Sequence, residues 1–211
     1  MWRSQYSHKT KLIFKKIAKN KKAPITFVNS NSSFKKYKTD LKGNYQIFNQ
    51  KTVVKTIDIL SKLGIKVSKY DLKNGFKNVI YNTNIQGRWQ ILIDNPKIIC
   101  DVGHNESGIK ILVMQLKQEF YKKLHLVLGF VKEKNIHKML SFFPKNALYY
   151  FCQPNIDRKF PIKEIKEITK DYKSAQYFDT VREAFDMARL KATNEDLIFV
   201  GGSTFVVAEI L

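Results

Sequence analysis

Residues 97–108 read Lys97-Ile98-Ile99-Cys100-Asp101-Val102-Gly103-His104-Asn105-Glu106-Ser107-Gly108, and this stretch decides the fold. Its first part is a continuous apolar run, the pattern of a strand buried on both faces. Asp101 marks the strand end and Gly103 the turn. From Asn105 the apolar spacing becomes helical and carries on to about Tyr121. A buried strand that enters a helix through a short glycine-containing loop is the repeating unit of a parallel sheet covered by helices.

The same rhythm continues toward the C-terminus. Strands are predicted over Leu124 to Phe130, Ala147 to Gln153, Ala175 to Phe178 and Asp196 to Gly201. Helices are predicted over Asn135 to Phe143, Ile162 to Tyr172, Val181 to Ala192, and from Ser203 onward. On the N-terminal side, a strand from Trp89 to Ile93 reaches Lys97 to Val102 through the turn Asp94-Asn95-Pro96. The expectation is an α/β, Rossmann-like, doubly wound, mostly parallel sheet over residues 86–211.

Before Gly87 the pattern is less regular. An amphipathic helix is predicted from Ser7 to Asn20, a strand from Ile25 to Val28, a loop from Asn29 to Ser33 and a second strand from Tyr37 to Leu41. Gly43-Asn44 marks a turn, and a helix follows from Gln46 to Leu63, with Gly64 placed to end it. A short helix over Tyr70 to Phe76 and a linker over Asn82 to Gln86 complete residues 1–85, read as a partial α/β segment.

Composition bounds the function. The chain has 211 residues, and 44% of them are hydrophobic, enough to fill a core. No stretch approaches the roughly 20 apolar residues of a membrane span. No apolar signal region follows Met1-Trp2-Arg3-Ser4-Gln5, so a cytoplasmic location is expected. Cys100 and Cys152 each sit in an apolar strand and read as reduced thiols in the core. The net charge of +20 raises nucleic-acid binding, but apart from Lys15-Lys16, Lys19, Lys21-Lys22 and Lys35-Lys36 the lysines are scattered over the helices and form no aromatic-basic motif. The scatter favours a solvated surface that suits a polyanionic ligand.

Chemistry is expected beyond the carboxyl ends of the strands. There Asp101 offers a carboxylate for ribose hydroxyls, His104 a planar donor and acceptor, and the helix N-terminus an anion site. The structural alternative is that Asp101 or Asn105 caps the helix. Arg88, next to Gly87, could bridge phosphates or be one surface arginine among many basic groups. Gln46 and Asn49, three apart on the first helical turn, put two amides on one face. No G-x-G-x-x-G follows any strand, which weakens a stand-alone dinucleotide module, and the chain contains no G-x-x-x-x-G-K-[ST] loop.

The segments Leu41-Lys42-Gly43-Asn44-Tyr45-Gln46-Ile47-Phe48-Asn49, Gly87-Arg88-Trp89-Gln90, Asp101-Val102-Gly103-His104-Asn105, Gly129-Phe130-Val131-Lys132-Glu133-Lys134-Asn135 and Gly202-Ser203 occur in that order. As a series they resemble the C-terminal half of the folylpolyglutamate synthase/dihydrofolate synthase family, a branch of the Mur-ligase superfamily. The resemblance implies that Asn49 and Arg88 contact ATP, Arg88 on its phosphates, while Asp101 and His104 hold the ribose or orient the nucleotide. Lys132 and Lys134 fall in the family's Lys-Asp-Lys-Asp stretch, where Glu133 and Asn135 replace aspartates. Gly103 replaces the usual alanine, and Asp157-Arg158 departs from a Pro-Arg-Ala stretch, leaving Arg158 a substrate-facing candidate.

The resemblance also implies an ATP-dependent ligase that adds L-glutamate to dihydropteroate or a folate through an acyl phosphate. Residues 1–85 would be the remnant of its central ATPase domain and residues 86–211 its C-terminal domain. The phosphate loop, the pteridine-binding segment and the Mg2+ carboxylates would lie in a missing N-terminal ATPase half. The chain is therefore expected to be a fragment or the product of a split or decayed gene, inactive alone, monomeric, and a partner of neither membrane nor nucleic acid.

Overall fold

The structure is a computed structural model that describes residues 8–28, 34–132 and 135–211. The expectations placed on Ser7, on Asn29 to Ser33, and on Glu133 and Lys134 lie outside the described residues. Two compact units divide the chain: residues 1–39 with 45–78, and residues 40–44 with 79–211.

The regular elements described in the first unit are helices, α1 (His8–Asn20), α2 (Gln46–Lys62) and α3 (Lys69–Lys77). A complete Schellman motif closes α2: Gly64 takes φ +91°, its N–H donates to Ser61 O, and the Ile65 N–H donates to Leu60 O. A capping box opens α3, with the Ser68 hydroxyl and the Asp71 carboxylate each accepting from the other residue's backbone. The strands expected at Ile25 to Val28 and Tyr37 to Leu41 are not strands. A strand needs a ladder partner, and at Tyr37 a side chain takes that place. The Gln50 amide accepts from the Tyr37 N–H at 3.1 Å and donates to the Tyr37 carbonyl at 3.0 Å. The Tyr37 ring stacks on Phe76 with centroids 5.0 Å apart. On α1 the apolar residues Leu12, Ile13, Phe14 and Ile17 are all exposed.

The second unit begins with α4 (Val79–Thr83), whose first amides, those of Val79 and Ile80, donate to the Asp40 carboxylate at 3.2 and 2.8 Å. Thus α4 covers the first two residues of the expected linker. The remainder alternates from β2 onward: β1 (Gln90–Asp94), β2 (Lys97–Cys100), α5 (Glu106–Leu116), β3 (Leu124–Gly129), α6 (Ile136–Leu140), β4 (Leu148–Cys152), α7 (Ile162–Ile168), β5 (Ala175–Tyr177), α8 (Val181–Lys191), β6 (Leu197–Gly201) and α9 (Thr204–Ala208). The six strands form one sheet in the order β1-β2-β6-β3-β4-β5. Only the β1–β2 hairpin is antiparallel; the other pairings are parallel.

Period-2 alternation divides the buried strand residues between two faces. On one face Ile98, Cys100, Val127, Tyr150, Cys152, Ile198 and Val200 pack with Val181, Ala184, Phe185 and Ala188 of α8 and Val206 and Val207 of α9. On the other face, Phe199 meets the rings of Trp89 and Phe143, each with centroids 6.4 Å away. The chain leaves β2, skips the place that β6 later fills, continues outward through β3, β4 and β5, and then returns to β6. That reversal puts a topological switch point at the carboxyl ends of β2, β6 and β3, the place where open α/β sheets bind ligands.

Candidate functional site

Three backbone loops are packed together at this switch point by residues that leave no room for a side chain. Gly202 has φ +89°, and a Cβ there would lie 2.6 Å from the Gly129 carbonyl oxygen, so only glycine allows the β6 loop to reach the β3 loop. The Asp101 N–H donates to Val200 O at 3.1 Å, continuing the β2–β6 ladder by one residue beyond the strand. An alanine at Gly103 would put its Cβ 2.5 Å from Leu112 Cδ1, so the loop lies closer to α5 than a methyl permits unless Leu112 rotates.

The loop before β1 is fastened to the loop after β2 on both sides of Arg88. Val102 N–H donates to Gly87 O at 2.9 Å, and Trp89 N–H donates to Asp101 Oδ2 at 2.7 Å. Asp101 Oδ1 accepts from the Gly103 N–H at 2.8 Å, and the carboxylate is only 2% exposed. Gln90 closes the turn through its side chain, accepting from the Gly87 N–H at 2.8 Å. Trp89 adopts φ +50°, a left-handed conformation that costs an L-residue about 1–2 kcal/mol. Burial of its indole against Phe199 and the carboxylate bond to its N–H hold it there.

On this buried bracket stand two exposed groups, Arg88 and His104. His104 Nδ1 lies 3.0 Å from Val102 O. A carbonyl only accepts, so Nδ1 carries the proton and Nε2 is the acceptor of the neutral ring. Helix α5 opens here, and its cap is Asn105, whose side chain accepts from Gly108 N–H at 2.8 Å. Between the two capping residues left open by the sequence, the structure therefore selects Asn105 and gives Asp101 to the bracket.

The structure brings Arg88, Asp101 and His104 together within the second unit. Asn49 belongs to the first unit, where it is exposed and donates from Nδ2 to Oε1 of the buried Gln46 at 2.8 Å. Lys132 is exposed on a loop zipped to the one after β4: its N–H donates to Arg158 O at 2.9 Å, and Phe160 N–H donates to Phe130 O at 3.0 Å. The Arg158 guanidinium lies over the Phe205 ring, 5.1 Å from its centroid. Asn135 caps α6, accepting from Lys138 N–H at 3.1 Å, which an amide does as well as the aspartate it replaces.

Electrostatics separates inert groups from available ones. Burial, and then the neighbouring Asp101 charge, push the Cys100 thiol up to about 12, and burial pushes Cys152 up as well. Both are protonated core residues without nucleophilic character. Among the described residues no three His, Cys, Asp or Glu side chains converge as a metal site, and no helix is long and apolar enough to cross a membrane. Sequence reasoning missed Trp89 as a strained residue and Gln90 as a turn closure. The only signal for either was their place beside Gly87-Arg88.

Comparison with known proteins places this edge of the sheet in a family. Residues 87–204 match the family described as Mur ligase, glutamate ligase domain. The dihydrofolate synthase/folylpolyglutamate synthase of Escherichia coli is 26% identical over 149 residues, covering 70% of this chain and 34% of that protein. The Bacillus subtilis protein of the same name is 20% identical over 209 residues, 98% of this chain and 47% of that protein. The chain thus spans between a third and a half of the length of these relatives. Among solved structures, Escherichia coli FolC in complex with DHPP and ADP has the same fold, with TM-score 0.73, 22% identity and coverage of 93% of this chain and 49% of that one. Mycobacterium tuberculosis folylpolyglutamate synthase complexed with ADP gives TM-score 0.66 over 82% of this chain and 40% of that one, at 18% identity. With the family match covering more than half of its residues, the chain belongs to the Mur ligase glutamate ligase domain family, and the curated relatives named above are dihydrofolate synthase/folylpolyglutamate synthases.

Proposed function

We propose that the chain is the C-terminal, nucleotide-facing part of an ATP-dependent ligase that adds L-glutamate to dihydropteroate or a folate through an acyl phosphate. The observation that carries this reading is the pair of exposed groups, Arg88 and His104, mounted on one buried bracket at the carboxyl edge of the sheet. Arg88 meets the ATP phosphates, and His104 and Asp101 orient the nucleotide from this side; Asn49 is carried as an ATP contact by the family resemblance alone. A planar guanidinium and the N-terminus of a helix each suit phosphate chemistry. Relatives of this fold hold the corresponding ligands: ADP and DHPP in Escherichia coli FolC, and Mn, AMPPNP and L-glutamate in a bifunctional folylpolyglutamate synthase/dihydrofolate synthase.

In this reading residues 1–85 are the end of the central ATPase domain and residues 86–211 the C-terminal domain of a monomeric, cytoplasmic enzyme. In the same reading the Mg2+ carboxylates, like the phosphate loop, come from an N-terminal ATPase half. No step of phosphoryl transfer is assigned to this chain. Its own residues bind and orient.

The test is a calorimetric titration of the 211-residue chain with ATP, beside an assay of ADP release in ATP, Mg2+, dihydropteroate and L-glutamate. Saturable ATP binding that Arg88→Ala weakens tenfold or more, about 1.4 kcal/mol, with no ADP released, is the expected result. Folate-dependent ADP release above a blank overturns the assignment of the chain as a part-enzyme. Absence of ATP binding, with steeply salt-dependent binding to DNA instead, overturns the nucleotide site in favour of a nucleic-acid partner.

A further inference from the structure

We infer that residues 40–44 form a strap, latched onto the second unit by Gln115 and Asp40, which confines relative movement of the two units to the peptide joints flanking those anchors. This stands apart from the nucleotide reading and uses none of its residues. The chain crosses between the units at residues 39–40, 44–45 and 78–79, and the strap is the piece between the first two crossings. Its main fastening is Gln115, the polar member of a buried face of α5 made otherwise by Ile109, Leu112, Val113 and Leu116. At 6% exposure, such a side chain has to find its hydrogen bonds inside the protein. It finds them on the strap backbone: Oε1 accepts from the Asn44 N–H at 2.6 Å, and Nε2 donates to Lys42 O at 3.2 Å. Gly43, between those two residues, is buried. Three positions beyond Gln115, Gln118 adds a second hold by accepting from Asn44 Nδ2 at 3.1 Å.

The other end of the strap is held by its own side chain. Asp40 Oδ1 accepts from the Val79 N–H at 3.2 Å and Oδ2 from the Ile80 N–H at 2.8 Å. Val79 is the first residue after the third crossing, so Asp40 ties the first crossing to the third, while Gln115 holds the second at Asn44. Each crossing is thereby pinned on its second-unit side by the residue next to the joint. Hinges absorb their φ/ψ changes at a few loop or element-terminal residues. The residues on the far side of two of these joints have that character: Tyr45 precedes α2, and Asn78 caps the end of α3. The two anchors differ in strength. Bonds to the Asp40 carboxylate are charge-assisted and those of the Gln115 amide are neutral, so the latch at Asn44 opens before the one at Val79. Gln115→Leu keeps an apolar side chain of similar size on α5 and removes both bonds. The Asn44 N–H and Lys42 carbonyl then regain partners by lifting into water.

The experiment uses the isotope-labelled full chain. Residual dipolar couplings of the sheet amides define an alignment tensor for the second unit, and those of α2 and α3 define one for the first. The expected result is two tensors of different magnitude, the mark of movement between the units, with the amides of Leu41 to Asn44 fitting the second unit's. In Gln115→Leu these amides should leave that fit, and the Asn44 amide should exchange about tenfold faster or more while β2, β3 and β6 keep their parent rates. A glutamine that only stabilised the fold would speed the sheet amides as well. A single tensor for the whole chain, strap amides that follow the first unit, or an unchanged Asn44 amide in Gln115→Leu each overturns the proposal. Should Gln115→Leu fail to fold, two other variants replace it. Gln115→Glu keeps the acceptor for Asn44 and loses the donor to Lys42, and Asp40→Ala frees the amides of Val79 and Ile80. Faster exchange at Asn44 in the first and at Val79 and Ile80 in the second is expected, and unchanged exchange in both overturns the strap.

Discussion

Asp101 and Asp196 stand at opposite edges of the same sheet and use the same device. Asp101, after β2, accepts from the amides of Trp89 and Gly103. Asp196, before β6, accepts from the amides of Lys123 and Thr193 and from the Thr193 hydroxyl. Both are nearly fully buried, at 2% and 3% exposure. What differs is the group each supports. At the carboxyl edge the bracket displays an exposed arginine and an exposed histidine, whereas at the amino edge it faces His125, which is completely buried. His125 Nδ1 lies 3.0 Å from the Tyr150 hydroxyl, and Nε2, 3.5 Å from Asp196 Oδ2, has no hydrogen-bond partner among the described residues. A buried aspartate is therefore no sign of function in itself. The polar groups that its bonds hold out to solvent distinguish the proposed binding edge from the structural one.

The largest effect that sharpens this contrast belongs to Asp196→Ala. It strips the acceptor from two backbone amides and removes the charge beside His125, and a hydrogen bond to a charged group is worth about 1.5–3 kcal/mol. A loss of about 3 kcal/mol in urea unfolding at neutral pH is expected, with ATP affinity unchanged in the folded fraction. A loss below 1 kcal/mol, or a lowered ATP affinity, would break the division between a structural and a binding edge.

A smaller effect appears with pH. Burial lowers the His125 pKa below its usual 6.5 against the pull of Asp196. Burial pushes the Asp196 carboxyl up, yet the bonds from Thr193 and the Lys123 amide hold it below its usual 3.8. Because His125 resists protonation only when folded, the unfolded chain binds the extra proton. Its contribution is full above pH 6.5 and is lost as pH falls from 6.5 to the lower folded value, with a slope of at most about 1.4 kcal/mol per pH unit. Asp196 acts only further down, below pH 3.8. Urea unfolding at pH 5, 6, 7 and 8 should show a decline toward acid that His125→Phe flattens, and equal slopes in the two proteins would remove His125 from the account.

The sheet was legible because most of its strands hold continuous apolar runs, such as Ile98-Ile99-Cys100 and Leu197-Ile198-Phe199-Val200, and glycine or asparagine marks every exit but that of β5. The first unit was less so. Tyr37 to Leu41 has the composition of a strand, but its backbone partner is the Gln50 side chain, which no local pattern announces. The same limit applies to the site. The loop Asp101 to Asn105 and Arg88 could be singled out from turn chemistry and spacing, whereas the division of labour between Asp101 and Asn105 depends on a bond to Trp89, twelve positions upstream. The amino-edge network joins residues 123–125, 150 and 193–196, three segments that only the β3–β4 and β3–β6 pairings bring together.

The smallest and most specific effect concerns the two nitrogens of His104, the exposed counterpart of His125. Nδ1 donates to Val102 O and fixes the ring, which leaves Nε2 as the acceptor for a ligand hydroxyl. Asparagine places its NH2 near the position of Nδ1, and glutamine reaches that of Nε2. His104→Asn therefore keeps the tether and removes the ligand-facing atom, while His104→Gln keeps a polar group at that reach and removes the tether. Neither change touches the buried bracket, so stability should move by no more than about 0.5 kcal/mol in each, as for other exposed positions. One neutral hydrogen bond is worth about 0.5–1.5 kcal/mol, roughly two- to tenfold in affinity. His104→Asn should weaken ATP binding by that factor and leave tripolyphosphate binding unchanged, and His104→Gln should retain most of the ATP affinity. Equal losses in both variants, for ATP and tripolyphosphate alike, would mean that His104 shapes the loop as a whole. The carboxyl edge would then owe its specificity to Arg88 alone, and the contrast between the two histidines would reduce to one of exposure.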